Sequence, residues 1–303
     1  MTEVPSRVDL KEFLARERIR VEAALEEALT GLLPRVPPRF RGSLRHGVSG
    51  GGKRLRPSLC VTAYRASGGT HDGIYRLAVS LELIHAYSLM HDDLPCMDDA
   101  DLRRGEATTH KVHGEAQTTV AGALLIPAAA LHAFESAQVM GLPEESCRRL
   151  VEELSQASGG GGMVGGQLLD LLGEGRQLSA EELDDLHRRK TGALLRASLR
   201  MGGIAAGVTA EQLLGLDRYG ESIGLAFQIA DDLLDATSSA QELGKNPSDA
   251  ELKKSTYVSL FGIEEAGRKG RELVTVAIGA LDLAGLISPE LDALARYIVE
   301  RDR

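Results

Sequence analysis

Residues 77–101 read LAVSLELIHAYSLMHDDLPCMDDAD, and two signals meet in them. Leu77, Leu81, Ile84 and Leu89 recur at helical spacing, so one face of a helix is apolar for about three turns. Then come Asp92, Asp93, Asp98, Asp99 and Asp101 around Pro95. Asp is a poor helix-interior residue, and Pro95 disfavours helical geometry at Leu94. The stretch predicts a buried helix that opens at its end and lets Asp92 and Asp98 turn toward a common point. Crowded carboxylates repel unless a cation neutralises them. Hard oxygen donors imply Mg²⁺ or Ca²⁺, and Mg²⁺ usually completes its shell with water and phosphate. A solvated acidic turn is the plainer alternative for this cluster taken alone.

The same period runs outward from this stretch. Leu10, Phe13, Leu14, Val21, Ala24 and Leu25 form one further stripe, and Leu213, Leu216, Ile223 and Phe227 another. Nothing alternates with period two long enough to predict a sheet. Breaks at residues 34–38, 68–69, 141–143, 159–162, 173–175 and 202–207 divide the 303 residues into about ten helices. The fold class expected is all-α, one helical bundle over residues 1–303. Composition agrees, with 4% aromatics and no Trp. With 35 Lys plus Arg against 44 Asp plus Glu, the net charge of −9 argues against a nucleic-acid partner. Cys60, Cys96 and Cys147 are scattered, which suits a reducing compartment. The N-terminal residues lack an apolar signal core, and the most apolar stretch, residues 120–133, is short and interrupted by Pro127. A membrane span needs roughly 18 apolar residues, so no membrane anchor and a cytoplasmic location are expected.

A second acidic cluster is Phe227-Gln228-Ile229-Ala230-Asp231-Asp232-Leu233-Leu234-Asp235. Asp231 and Asp235 share a helix face, with Gln228 one turn earlier on the same side. Flanking Ile223, Phe227, Ile229 and Leu233 predict burial, where carboxylates demand a partner or a metal. Two such clusters in one helical chain are much harder to dismiss than one. On the basic side, Gly50-Gly51-Gly52-Lys53-Arg54-Leu55-Arg56-Pro57 is a glycine-rich turn with three cations. It nearly spells a nucleotide-binding loop, but Arg54 stands where Ser or Thr belongs and no strand precedes it. Phosphate binding remains as its reading. Arg103, Arg104, Lys190, Lys245 and Lys254 are further cations, each of which alone reads as a solvated surface charge.

Five motifs in order carry a resemblance: Gly51 to Pro57, Asp92-Asp93-x4-Asp98 with Arg103-Arg104-Gly105, Gly165-Gly166-Gln167-x2-Asp170, Lys190-Thr191-Gly192, and Asp231-Asp232-x2-Asp235. From about Leu44 to the terminal Arg303 the chain resembles the trans-polyprenyl diphosphate synthases, in particular the bacterial short-chain farnesyl type. The resemblance implies helices around a deep cavity, a homodimer, and head-to-tail joining of isopentenyl diphosphate to an allylic diphosphate. It implies that Asp92, Asp98 and Asp231 hold three Mg²⁺ ions, with Asp93, Asp170, Asp232 and Asp235 in support. Arg103, Lys190 and Lys245 would neutralise the departing pyrophosphate. Thr191, Gln228 and the Lys190 backbone would steady the allylic cation. Lys53, Arg56, His85 and Arg104 would grip isopentenyl diphosphate, and Lys254, Arg301 and Arg303 would help close the site. The released pyrophosphate takes the final proton in this scheme.

Within that frame Tyr87, five residues before Asp92, lies about 7 to 8 Å along the helix and is expected to form a floor that stops growth near C15. Ser88 beside it is too small to add to the block, and C20 is the competing product. His85 could instead be a core histidine. Glu82-x2-His85 is half of a di-iron bundle motif whose second half is missing. Residues 159–162 read equally as a flexible joint or as close helix packing. The chain departs from the family pattern at Ala123, where Asp is common, and at Thr237-Ser238-Ser239 in place of Gly-Asp. Two other classes compete. A class I terpene cyclase lacks the second diphosphate turn, and a non-catalytic subunit usually loses one Asp motif.

Overall fold

The computed structural model of the chain describes residues 8–237 and 255–300. Its first four helices are α1 (Leu10–Leu32), α2 (Pro38–Ser49), α3 (Leu55–Ala66) and α4 (Ile74–Asp92). After the acidic turn come α5 (Thr109–His113), α6 (Glu115–Val139), α7 (Glu144–Ser158), α8 (Met163–Gly173) and α9 (Ala180–His187). A π-helical turn at Arg188–Gly192 joins α9 to α10 (Ala193–Ala206), followed by α11 (Ala210–Thr237). Helices α12 (Tyr257–Phe261), α13 (Ile263–Leu283) and α14 (Pro289–Glu300) complete the described part. Twelve of these helices have eight residues or more, two above the expected ten.

The stripes read in the sequence are what the helices bury. Leu77, Leu81 and Ile84 are at most 2% exposed, and α4 packs between α3 and α6. Each such side chain contributes roughly 1.5–3 kcal/mol by leaving water. Leu216, Tyr219 and Ile223 of α11 form a second core with Leu291 and Leu294 of α14. The last residues of two stripes, Leu89 and Phe227, leave the core and face a cavity. The apolar period therefore runs on from packing into the functional site.

Three local features differ from the sequence reading. Helix α6 continues through Pro127. Pro127 and Ala123, the residue whose carbonyl loses its i+4 donor, are both exposed, so water can satisfy that carbonyl. By length and composition α6 could cross a membrane, with a mean hydropathy of 1.4 over 18 residues. Its inner residues Ala121, Leu125, Ala129 and Ala133 are fully buried, so one face of it belongs to the core. A short antiparallel pair, β1 (Leu102–Arg103) and β2 (Glu106–Ala107), sets Leu102 opposite Ala107. Its turn, Arg104–Gly105, has positive φ at both residues (56° and 83°), the hairpin geometry matched to strand twist. Finally, the 202–207 break reduces to Gly207, left-handed at φ 73°. Gly202 lies inside α10 because a Cβ there would come within 2.3 Å of the Cys60 carbonyl oxygen of α3.

Gly202→Ala should therefore cost about 1–3 kcal/mol through forced backbone movement. Gly279→Ala, in α13 with open space around it, should gain up to about 1 kcal/mol from helix propensity. Thermal denaturation of the two variants reads the opposite signs; a neutral Gly202→Ala would contradict the packing.

Candidate active site

Helices α1, α3, α4, α8, α10, α11 and α14 surround a cavity of about 980 Å³, lined by charged side chains and by Leu168, Leu171, Phe227 and Tyr87. The first acidic motif enters from the C-terminal end of α4. There the chain turns so that the Asp98 N–H donates to the Asp92 carbonyl at 2.9 Å and the Ala100 N–H to that of Asp93 at 3.2 Å. Asp92 faces the cavity; Asp93, 3% exposed, points away into the protein. Arg103 Nε lies 2.8 and 3.0 Å from the two Asp93 oxygens, and Nη2 is 2.6 Å from Oδ1. Asp93 thus clamps a guanidinium that also lines the cavity. Burial pushes the Asp92 carboxyl up to about 6; Asp98 and Asp93 add repulsion, while Lys190 and Arg103 pull the other way.

The second motif behaves alike. Asp231 and Gln228 line the cavity from α11. Asp232, 7% exposed, accepts the backbone N–H of Tyr257 at 2.6 Å and so ties α12 to α11. Asp235 stands one turn beyond Asp231, outside the cavity wall. Asp170 of α8 accepts from Lys190 Nζ at 2.5 Å. Three of the four supporting carboxylates therefore hold protein groups in place.

Lys190 and Thr191 belong to the π-helical turn and line the cavity. Such turns often mark functional positions because they rotate side chains out of helical register. This one is pinched from both sides. A Cβ on Gly166 of α8 would meet the Lys190 nitrogen at 2.1 Å, and one on Gly224 of α11 would meet Gly192 Cα at 2.9 Å. Gly162 and Gly165 allow equally close backbone contacts with Ala157 and Gly160, whereas Gly160 and Gly161 have open space around them, so close packing accounts for only part of residues 159–162. Behind the turn His187 stacks on Tyr257 with centroids 5.6 Å apart. Burial pushes the His187 ring down to about 4, so it is neutral.

The basic wall is built around Arg54. This residue is left-handed (φ 48°), 4% exposed, and bonded to Glu82 at 2.6 Å and Glu22 at 2.8 Å. Glu82 is therefore the counterion that anchors the basic turn. Arg56 then faces the cavity, its buried Nε without a hydrogen-bond partner. Burial and Arg104 hold the Arg56 pKa below its usual range, against the pull of Glu82 and Asp231. Arg104 donates to the Gly51 carbonyl and crosses over Gly52, where a Cβ would strike its guanidinium at 2.5 Å. Lys53 lies 5.6 Å from the centre of the Tyr297 ring. His85 lines the same wall, and burial, reinforced by Arg56 and Arg104, keeps its ring neutral.

Tyr87 and Ser88 both line the cavity. The Tyr87 ring meets His91 edge to face at 4.8 Å, and His91 reaches the Thr119 carbonyl at 3.0 Å across the space left by Gly122. Lys245, Lys254, Arg301 and Arg303 lie outside the described residues. Residues not read from the sequence also reach the cavity: Leu14 and Arg18 of α1, Tyr297 and Ile298 of α14, and Gln167. Both polar atoms of the Gln167 amide are buried without partners. Only Gln167 had a local signal, its place in Gly165-Gly166-Gln167-x2-Asp170.

Among the described residues no three ligand side chains converge on one point as a ready metal cage. The donor set still fits a hard divalent cation held together with phosphate, because Asp92 is buried and destabilised as a bare carboxylate. Carboxylates, arginines and apolar side chains lining one cavity suit an enzyme that holds a diphosphate head and houses a hydrocarbon tail. The chain belongs to the polyprenyl synthetase family, whose model matches residues 37–282. It is 44% identical over 269 residues to farnesyl diphosphate synthase of Escherichia coli, covering 86% of this chain and 89% of that protein. It is 40% identical over 303 residues to the chloroplastic geranylgeranyl pyrophosphate synthase of Catharanthus roseus, covering 98% and 83%. Among solved structures, the geranyltransferase of Helicobacter pylori complexed with magnesium and isoprenyl diphosphate superposes with a TM-score of 0.77 at 32% identity, over 96% and 97% of the two chains. The protein is accordingly a prenyltransferase, a trans-prenyl diphosphate synthase.

Proposed function

We propose that this enzyme joins isopentenyl diphosphate head to tail with dimethylallyl and then geranyl diphosphate, giving farnesyl diphosphate (C15) and pyrophosphate. The observation that carries the chain length is Tyr87, whose ring stands in the cavity wall braced against His91. A growing tail that enters beside Asp92 meets that ring after a few carbons. The C20 product has its support in relatives such as the Catharanthus roseus enzyme.

Residues 1–303 act in this reading as one cytoplasmic synthase domain. Asp92, Asp98 and Asp231 hold magnesium, three ions in all, which supplies Lewis-acid neutralisation of diphosphate oxygens. Arg103, oriented by Asp93, and Lys190, oriented by Asp170, face the allylic diphosphate and lower the cost of charge as its C–O bond breaks. Lys245 adds a further cation, and Lys254, Arg301 and Arg303 close the site. Thr191, Gln228 and the Lys190 carbonyl present oxygen to the carbon left positive. Lys53, Arg56, Arg104 and neutral His85 position the second diphosphate so that its double bond attacks that carbon. The released pyrophosphate accepts the proton lost at the end.

The expected homodimer has its support in α6. Its outer face exposes Ala116, Val120, Ala123, Ile126, Pro127 and Leu131 with no charge among them. A second copy of the chain covers this face, and Ala123 in place of Asp keeps the seam apolar. Sedimentation velocity should show a dimer that Val120→Asp with Ile126→Asp converts to monomer; a wild-type monomer would contradict the interface.

Incubation with Mg²⁺ and both substrates should yield farnesol after dephosphorylation, and Tyr87→Ala should shift the product toward C20. An unchanged product distribution in Tyr87→Ala removes the floor. The Asp92 carboxyl is protonated below about pH 6, and a cation binds its anion, so affinity falls with pH. Formation of the Mg²⁺–diphosphate complex should weaken about fourfold from about pH 7.5 to about pH 5.5 through this group. Calorimetry in two buffers should detect proton release near pH 6 beyond that of the diphosphate itself, and Asp92→Asn should remove this excess. Equal release by both proteins would refute the assignment.

A further inference from the structure

Helix α1 presents three arginines in five residues, Arg16, Arg18 and Arg20. Two of them are occupied. Arg16 lies 3.5 Å from Glu17 and over the Phe13 ring, while Arg20 bonds Asp72 at 2.9 Å and lies over Tyr75. Arg18 has no ion pair among the described residues. Its natural helical partner is Glu22, four residues on, which would normally hold it along the helix surface. Glu22 turns instead to the buried Arg54, at 2.8 Å from Nε and 3.4 Å from Nη2. With that carboxylate withdrawn, Arg18, which is exposed, and Leu14, one turn earlier, line the same cavity as Lys53, Arg56 and Tyr297.

We propose that Arg18 is a further binding residue for isopentenyl diphosphate, supplied by α1, which completes the basic wall with Lys53, Arg56 and Arg104. The assignment rests on the proposed reading of that wall as the isopentenyl diphosphate subsite. The chemistry fits a diphosphate. A guanidinium free of carboxylates offers parallel N–H donors to two phosphate oxygens. Being exposed, it also attracts the anion before the half-buried Arg56 engages, an effect that salt weakens. The link through Glu22 makes the Arg54–Glu22 pair a positioning contact, because it holds off the carboxylate four residues on that would compete for Arg18.

The test measures isopentenyl diphosphate binding by calorimetry, and turnover with geranyl diphosphate, for the wild type, Arg18→Ala, Arg18→Lys and Arg16→Ala. Arg18→Ala should raise Kd and KM for isopentenyl diphosphate about five- to tenfold, with kcat, the KM for geranyl diphosphate and Tm unchanged. Arg18→Lys should recover part of the loss, Arg16→Ala should match the wild type, and the gap should shrink at high salt. An unaltered Kd in Arg18→Ala overturns the assignment. So does a lowered Tm, or an equal rise in KM for both substrates, each of which marks a structural residue. If the wild type binds and condenses both substrates while Arg18→Ala does the same, only Arg18 falls. If the wild type binds no isopentenyl diphosphate, the subsite reading falls and Arg18 with it.

Discussion

Charge of both signs held in one low-dielectric cavity is the constraint on which the rest of the structure depends. Asp92 and Asp231, near the ends of α4 and α11, line the same cavity as Arg56 at the start of α3 and as Arg103 and Arg104 on the hairpin. Such groups destabilise a fold unless each has a partner. The protein meets this by sorting them. Asp93 takes Arg103, Asp170 takes Lys190, Glu82 takes Arg54, and Asp232 takes the Tyr257 N–H. Buried charge remains on Asp92 and on Arg56, whose pKa values burial shifts in the directions that disfavour ionisation. A cation and an anion bound together would neutralise both groups at once.

The glycines follow from the same need. Presenting Lys190 and Thr191 to the cavity requires a π-helical turn, and the turn fits only because Gly166 and Gly224 let two helices approach its backbone. Gly52 does the same for Arg104. At Gly52, Gly166 and Gly224, what looks like flexibility in the sequence is close approach that leaves room for charged side chains or for the turn that carries them. The hairpin turn, with two positive-φ residues, fixes Arg103 and Arg104 on a short rigid arm in the same way.

Much of this was legible in the sequence, because the informative features are local. The stripe from Leu77 to Leu89 ends where Asp92 begins, and Phe227 leads to Asp231 by the same rule, so the helices and both acidic motifs could be placed. Long-range contacts could not. Nothing near Arg54 says that Glu22 and Glu82 hold it, or that its role differs from that of Arg56 two residues later. Leu14, Arg18 and Tyr297 reach the cavity from opposite ends of the described chain. The paired members of each Asp motif diverge for a similar reason. Neighbouring residues on a helix or at its end point about 100° apart, so Asp93 and Asp232 turn inward while Asp92 and Asp231 face the cavity.

The central claim is that the acidic and basic walls are neutralised jointly, and thermal denaturation tests it most directly. The protein should be melted alone, with Mg²⁺, with inorganic pyrophosphate, and with both. The account predicts small shifts for either ion and a shift well above their sum for the pair. Full stabilisation by Mg²⁺ alone would show that the carboxylates form a metal site independent of the diphosphate, and would contradict it.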